Sequence, residues 1–145
     1  MASAEVLPVG VSGGNSRSMN VRGAATATLL ATADPTTSYV ASNYVNSSPY
    51  EKITAQFVLT WNSSTSIEWY WESSPDAVTW FRHLNLSAAA GVNTAVRNNQ
   101  TIVLGASANW EDCIYVQDKY TRVNVKRTGG AASDTLAVTV TLLGA

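Results

Sequence analysis

In the run Lys52–Trp61, KITAQFVLTW, residues Ile53, Ala55, Phe57, Leu59 and Trp61 fall on one side of an extended chain. Lys52, Thr54, Gln56 and Thr60 fall on the other. A period of two is the mark of a strand with one face buried, because successive side chains of a strand point to opposite faces. The alternation recurs near the end of the chain, where Leu136, Val138, Val140 and Leu142 interleave with Thr135, Ala137, Thr139 and Thr141. No window sustains the three-and-four spacing of an amphipathic helix, and only SAAAG at 87–91 suggests a single helical turn. The fold class expected is therefore all-β. Short strand signals separated by turn residues, eight to ten of them by this reading, favour a single antiparallel β-sandwich of jelly-roll kind.

Four of the five tryptophans, Trp61, Trp69, Trp71 and Trp80, stand between Lys52 and Leu86. Ile67, Trp69 and Trp71 share a face and continue the apolar stripe of Phe57, Leu59 and Trp61, which reads as cross-strand pairing inside a core. A platform of rings for a ligand is the competing reading. Tyr70 faces the other way, and Tyr70, Tyr115, Tyr120 and Arg122 are the candidates for surface contacts.

With 145 residues the chain is one domain by length, and a domain of that size buries roughly 68–70% of its unfolded surface. It needs neither metal nor disulfide to fold, and its one cysteine, Cys113, allows no intrachain disulfide. Charged residues make up only 13% of the chain and the net charge is -1, so no basic footprint for nucleic acid or an anionic membrane is present. A polar but weakly charged surface suits a protein packed against neighbours. No basic segment followed by an apolar run opens the sequence, so no secretion signal is expected. The apolar runs fall far short of the ~20 residues that span a bilayer.

Residues 1–23 differ from 24–145. The opening MASAEVLPVGVSGGNSRSMNVRG is punctuated by Gly and Ser and has no clear period. A frayed terminus is one reading. An extended arm that orders against another subunit through Val6, Leu7, Val9 and Val11 is the other. From Ala24 onward the chain reads as the sandwich domain. The loop 128–134 reads as a hairpin link between the last two strands, and Arg122, Lys126 and Arg127 as charges that would blunt an exposed edge.

The residues offer little chemistry. His83 is the sole histidine and lacks a nucleophile–base pattern, so it reads as a surface or half-buried residue. Cys113 lies between Asp112 and Ile114 and reads as a buried structural thiol. Glu68 and Glu72, four residues apart on one strand, would stand about 13 Å apart, too far to act together on one glycosidic bond. They read as carboxylates on a solvated face. No metal-ligand spacing and no phosphate-binding glycine loop is present, so no cofactor and no enzymatic activity are expected.

The segment IEWYWESSPDAVTW resembles a hairpin of small β-sandwich proteins from tailed-phage virions, in which a strand enters a Ser-Pro/Leu-Asp-Gly turn and a Trp opens the next strand. Here Ser74, Pro75, Asp76 and Trp80 carry the match, and Ala77 stands where Gly is usual. The ending KYTRVNVKRTGG…DTLAVTVTLLGA is similar to that of the same proteins through Tyr120, Arg122, Val123 and Val125. The resemblance spans residues 52–145. It implies a non-enzymatic virion protein, made in the host cytoplasm: a capsid decoration or cement protein that contacts the major capsid protein or other virion subunits. A symmetric homo-oligomer, a trimer first, is the form expected. A carbohydrate- or receptor-binding module of a tail or fibre, using Tyr70 and Trp80, is the alternative. A neck or tail ring subunit is a further one.

Overall fold

The alternation of the Trp-rich block and of the chain end builds two separate layers. In a computed structural model, which describes residues 25–89, 92–97, 99–130 and 134–144 and no side chains within 85–98, β3 (Lys52–Thr60) pairs antiparallel with β11 (Thr135–Leu143). Their register runs unbroken from Thr60↔Thr135 to Lys52↔Leu143. Ile53, Ala55, Phe57 and Leu59 of one strand and Leu136, Val138, Val140 and Leu142 of the other are buried side by side. β1 (Ala25–Ala33) joins the far side of β11 and β9 (Ala108–Tyr115) the far side of β3, giving a first sheet β1-β11-β3-β9.

The second sheet is centred on β10 (Tyr120–Thr128) and β4 (Ser66–Ser74), with β2 (Val40–Asn46) outside β10. Two short strands share the free edge of β4: β8 (Gln100–Val103) pairs at Ser66–Trp69, and β5 (Phe81–Arg82) at Glu72–Ser73. Between them in sequence, β6 (Leu84–Ala89) and β7 (Val92–Arg97) form a hairpin that pairs with no other described strand. Successive long strands switch sheets, so the order β1-β11-β3-β9 faces β2-β10-β4-β8. That is a jelly roll, the double Greek key. No helix occurs among the described residues, and the SAAAG turn expected at 87–91 gives way to strand at Ser87–Ala89. The arm residues Val6, Leu7, Val9 and Val11 lie outside the described residues.

Trp69 and Trp71 point into the core, with 6% and 1% of their surface exposed. Their contact with the Phe57 stripe is made across the sandwich, not along one sheet, because β3 and β4 belong to opposite layers. Phe57 lies 5.0 Å from Trp69 and stacks on Trp110 at 5.1 Å. A buried indole N–H needs an acceptor. Both find the same one, as Trp69 Nε1 and Trp71 Nε1 each donate to Asp112 Oδ2 at 2.8 Å. Asp112 thus occupies the inward position on the edge strand β9 and turns its neighbour Cys113 outward. The thiol is exposed, not buried as its apolar neighbour Ile114 suggested.

His83 is likewise the reverse of the expectation. It is 4% exposed, its backbone N–H bonds Trp71 O at 2.9 Å, and its Nε2 lies 2.5 Å from the Ser73 hydroxyl. Burial pushes its pKa down, against a smaller upward pull from Glu72, and keeps the ring neutral.

The last two strands are not a hairpin. β10 and β11 lie in different sheets, so the loop between them is a crossing, and two buried charges hold it. Arg127 points inward, where it cannot blunt an edge. Its Nε donates to Pro35 O at 2.7 Å, and its Nη1 donates to Gly129 O and Gly130 O at 2.5 and 2.8 Å. Asp134, fully buried, accepts backbone N–H bonds from Asn62, Ser63 and Ser64 at 2.7–3.0 Å. Gly130 has φ +73°, and a Cβ there would lie 2.6 Å from the Ser63 carbonyl. The left-handed turn and the close approach both require glycine.

Burial alone would raise the Asp134 pKa, but the Ser64 hydroxyl and the three N–H donors outweigh it and hold the carboxyl below its ordinary value. Asp134→Ala should therefore cost about 2–3 kcal/mol in urea unfolding, from donors left without their acceptor. The carboxylate's contribution is full above its unfolded value of 3.8 and is lost as pH falls through the lower folded value. The acid limb of the stability curve should flatten in Asp134→Asn.

Candidate functional site: the outer face of the second sheet

Because odd-numbered residues of β4 and β10 enter the core, the even-numbered ones form the opposite face. Register places Arg122 beside Glu72, Asn124 beside Tyr70 and Lys126 beside Glu68. Opposite charges directly across a sheet attract one another. Glu72 Oε1 accepts Arg122 Nε at 2.8 Å and Asn124 Nδ2 at 2.7 Å. Glu68 Oε1 accepts the Tyr39 hydroxyl and pairs with Lys126 Nζ at 3.3 Å. Burial first, and then that bond, raise the Tyr39 pKa. The Tyr39 hydroxyl, with Lys126 and Thr101, lowers that of Glu68 against its own desolvation. These carboxylates are half-buried and engaged, not merely solvated, and neither is left as a free acid–base group.

The face carries two aromatic groups. In one, Tyr39 meets Tyr70 edge-on at 4.7 Å, and the Arg82 guanidinium lies 3.5 Å over the Tyr70 ring. In the other, Tyr44 touches Trp80 at 5.8 Å and Tyr120 at 5.4 Å, while Arg122 lies 4.0 Å over Trp80. Cations held over ring faces add to cohesion at the surface. Tyr44 is 52% exposed, and Trp80, Tyr120 and Arg122 are half-buried.

Tyr70, Tyr120 and Arg122, three of the four surface candidates, thus lie on one face. Tyr115 does not join them, since it lies 70% exposed on β9 of the other sheet. Tyr44, Tyr39 and Arg82 escaped the sequence reading. In β2 a bulge between Arg122↔Tyr44 and Asn124↔Ala41 inserts one residue. Ser42 and Val45, three apart, therefore both point inward, and simple alternation fails there. The Ser42 hydroxyl accepts the Val123 N–H at 3.1 Å at this irregularity.

Trp80 is aimed by the turn before it. Asp76 N and Ala77 N donate to Ser74 Oγ, at 3.2 and 2.9 Å. Val78 N and Thr79 N both donate to Asp76 Oδ1 at 2.8 Å. The Thr79 and Val78 N–H groups, with the Ser74 hydroxyl, lower the Asp76 pKa. Ala77 has φ 61°, the left-handed region where glycine is favoured. Ala77→Gly should raise stability by about 0.5–1 kcal/mol in urea unfolding, the relief of strain exceeding the added chain entropy.

No protein-family model matches the chain, and no curated protein sequence matches it. A solved structure described as "CBM4 structure and function" is similar at 17% identity and a TM-score of 0.48, over 83% of this chain and 72% of that one.

Proposed function

We propose that this protein is a non-enzymatic structural subunit of a tailed-phage virion, a jelly roll that decorates the outside of the shell and bridges subunits of the major capsid protein. The virion assignment is supported by the resemblance carried by Ser74-Pro75-Asp76, Trp80 and the Tyr120–Val125 run. The docking assignment is supported by one observation, the mutually braced patch of Tyr44, Trp80, Tyr120 and Arg122 on the outward face of the second sheet. Trp, Tyr and Arg are the residues that dominate binding energy at protein interfaces. Side chains already held by one another lose little freedom on docking. A subunit that binds only the assembled shell shifts the equilibrium toward it. It would act as a symmetric homo-oligomer, a trimer in this reading, made in the host cytoplasm.

Co-sedimentation with purified shells lacking the protein is the test. Wild type should bind saturably. Trp80→Ala and Arg122→Ala should each weaken binding about 30-fold, the size of an interface hot spot. Glu111→Gln, on the outer face of the first sheet, should bind as wild type does. Unimpaired binding by Trp80→Ala would remove the patch from the contact, and failure of wild type to bind would remove the virion reading.

A glycan-binding reading is favoured by the rings of Tyr44 and Trp80 on one face, which the C–H faces of a sugar would meet. It is restricted to that patch, since Trp69 and Trp71 are buried and Arg82 covers Tyr70. Oligosaccharide-dependent Trp fluorescence in wild type that is lost in Trp80→Ala would favour it over the shell.

A further inference from the structure

Arg82 differs from every other charge on this face. Arg122 is spent on Glu72 and Lys126 on Glu68. Arg82 stands directly across from Glu72 in the register, yet the Glu72 bonds run to Arg122 and Asn124. Two of the Arg82 donors, Nε and Nη2, are shielded from water and have no acceptor among the described residues. Buried donors are almost always satisfied, so an orphaned pair calls for a partner. The two atoms are also a particular pair. They share one edge of the guanidinium, and their N–H bonds run parallel, the fork that holds both oxygens of a carboxylate at once. Tyr70 supports the flat side of the guanidinium at 3.5 Å, and the edge itself is covered in the free chain.

We propose that the Arg82 fork is the socket for one carboxylate of a protein partner, an Asp or Glu side chain that docks on the outer face of the second sheet. Charge complementarity favours an acidic partner. Arg82 and Lys119, at the end of this face beside Tyr120, are its two cations without a carboxylate partner among the described residues. In a site shielded from water, a bidentate charge-assisted pair is stronger than the same pair on open surface. The stem of Arg82 is long enough to turn the fork outward from Tyr70 as the carboxylate arrives. That the carboxylate belongs to a protein rests on the shell-docking reading; the fork itself does not.

The test follows the arginine Nε–H signals of the full-length chain by nuclear magnetic resonance during titration with hexaglutamate. The Arg82 signal should move saturably with hexaglutamate and stay in place with hexaglutamine. Arg82→Lys keeps the charge but lacks the fork, and should bind hexaglutamate at least tenfold more weakly. Lys52→Gln, on the other sheet, should match wild type. A still Arg82 signal, or equal binding by Arg82→Lys, overturns the proposal. So does a shift already present in the free protein that Glu72→Gln abolishes, since the fork is then satisfied internally. An equal response to oligogalacturonate would assign the fork to a glycan acid and overturn the protein partner. Arg82→Lys sedimenting with shells like wild type would sink the fork and leave the virion reading intact. Hexaglutamate binding by a wild type that ignores shells would support the fork and sink that reading.

Discussion

The sandwich is held at one end by chain crossings that are tied to one another, and the rest of the structure depends on those ties. Arg127 joins the β10–β11 crossing to the β1–β2 crossing, through Pro35 O and its own N–H to Thr36 O. Asp134 joins the same crossing to the β3–β4 loop. That loop in turn reaches the β8–β9 connection, where Leu104 N bonds Thr65 O and Trp61 N bonds Ser107 Oγ. Three links between the layers are thus joined through two buried ionic side chains, and the fourth through a backbone bond and the Ser107 hydroxyl. Because each charge meets several oriented backbone groups, its desolvation is offset where an isolated ion would be unstable.

This arrangement decides what the second sheet can present. With β10 fixed in the interior of that sheet, its outward row faces that of β4, and cations meet carboxylates and rings in a continuous surface. Were β10 the edge strand of a final hairpin, Arg122 and Lys126 would be isolated surface charges. The aromatic residues therefore divide by parity. Trp69 and Trp71 make the core, and Tyr70, one residue from each, belongs to the outward face.

Much of the fold was legible because β3, β4, β10 and β11 keep a strict period of two, and each buries one complete row. Period says nothing about which strands pair, however. The reading of residues 128–134 as a hairpin link failed because the deciding contacts, Asp134 with residues 62–64, are some seventy residues distant in sequence. Cys113 was misassigned for a related reason. A carboxylate takes the inward position because two indole N–H groups from the other sheet need it, and local hydrophobicity cannot register that need. His83 was hidden in the same way, its burial depending on Ser73 and Trp71 of β4. At the site, the bulge in β2 shifted the phase that would have brought Tyr44 into view, whereas Tyr70, Tyr120 and Arg122, on regular strands, could be read directly.

The hairpin β6–β7 enters where the strand facing β9 in an unbroken jelly roll would run straight through. Its two strands answer only to each other, while β5 and β8 on either side of it are anchored on β4. The described strands of the sandwich therefore place no pairing register on its length. Its length can change without shifting the pairing of β5 and β8, much as a removable fitting can change while its socket stays the same.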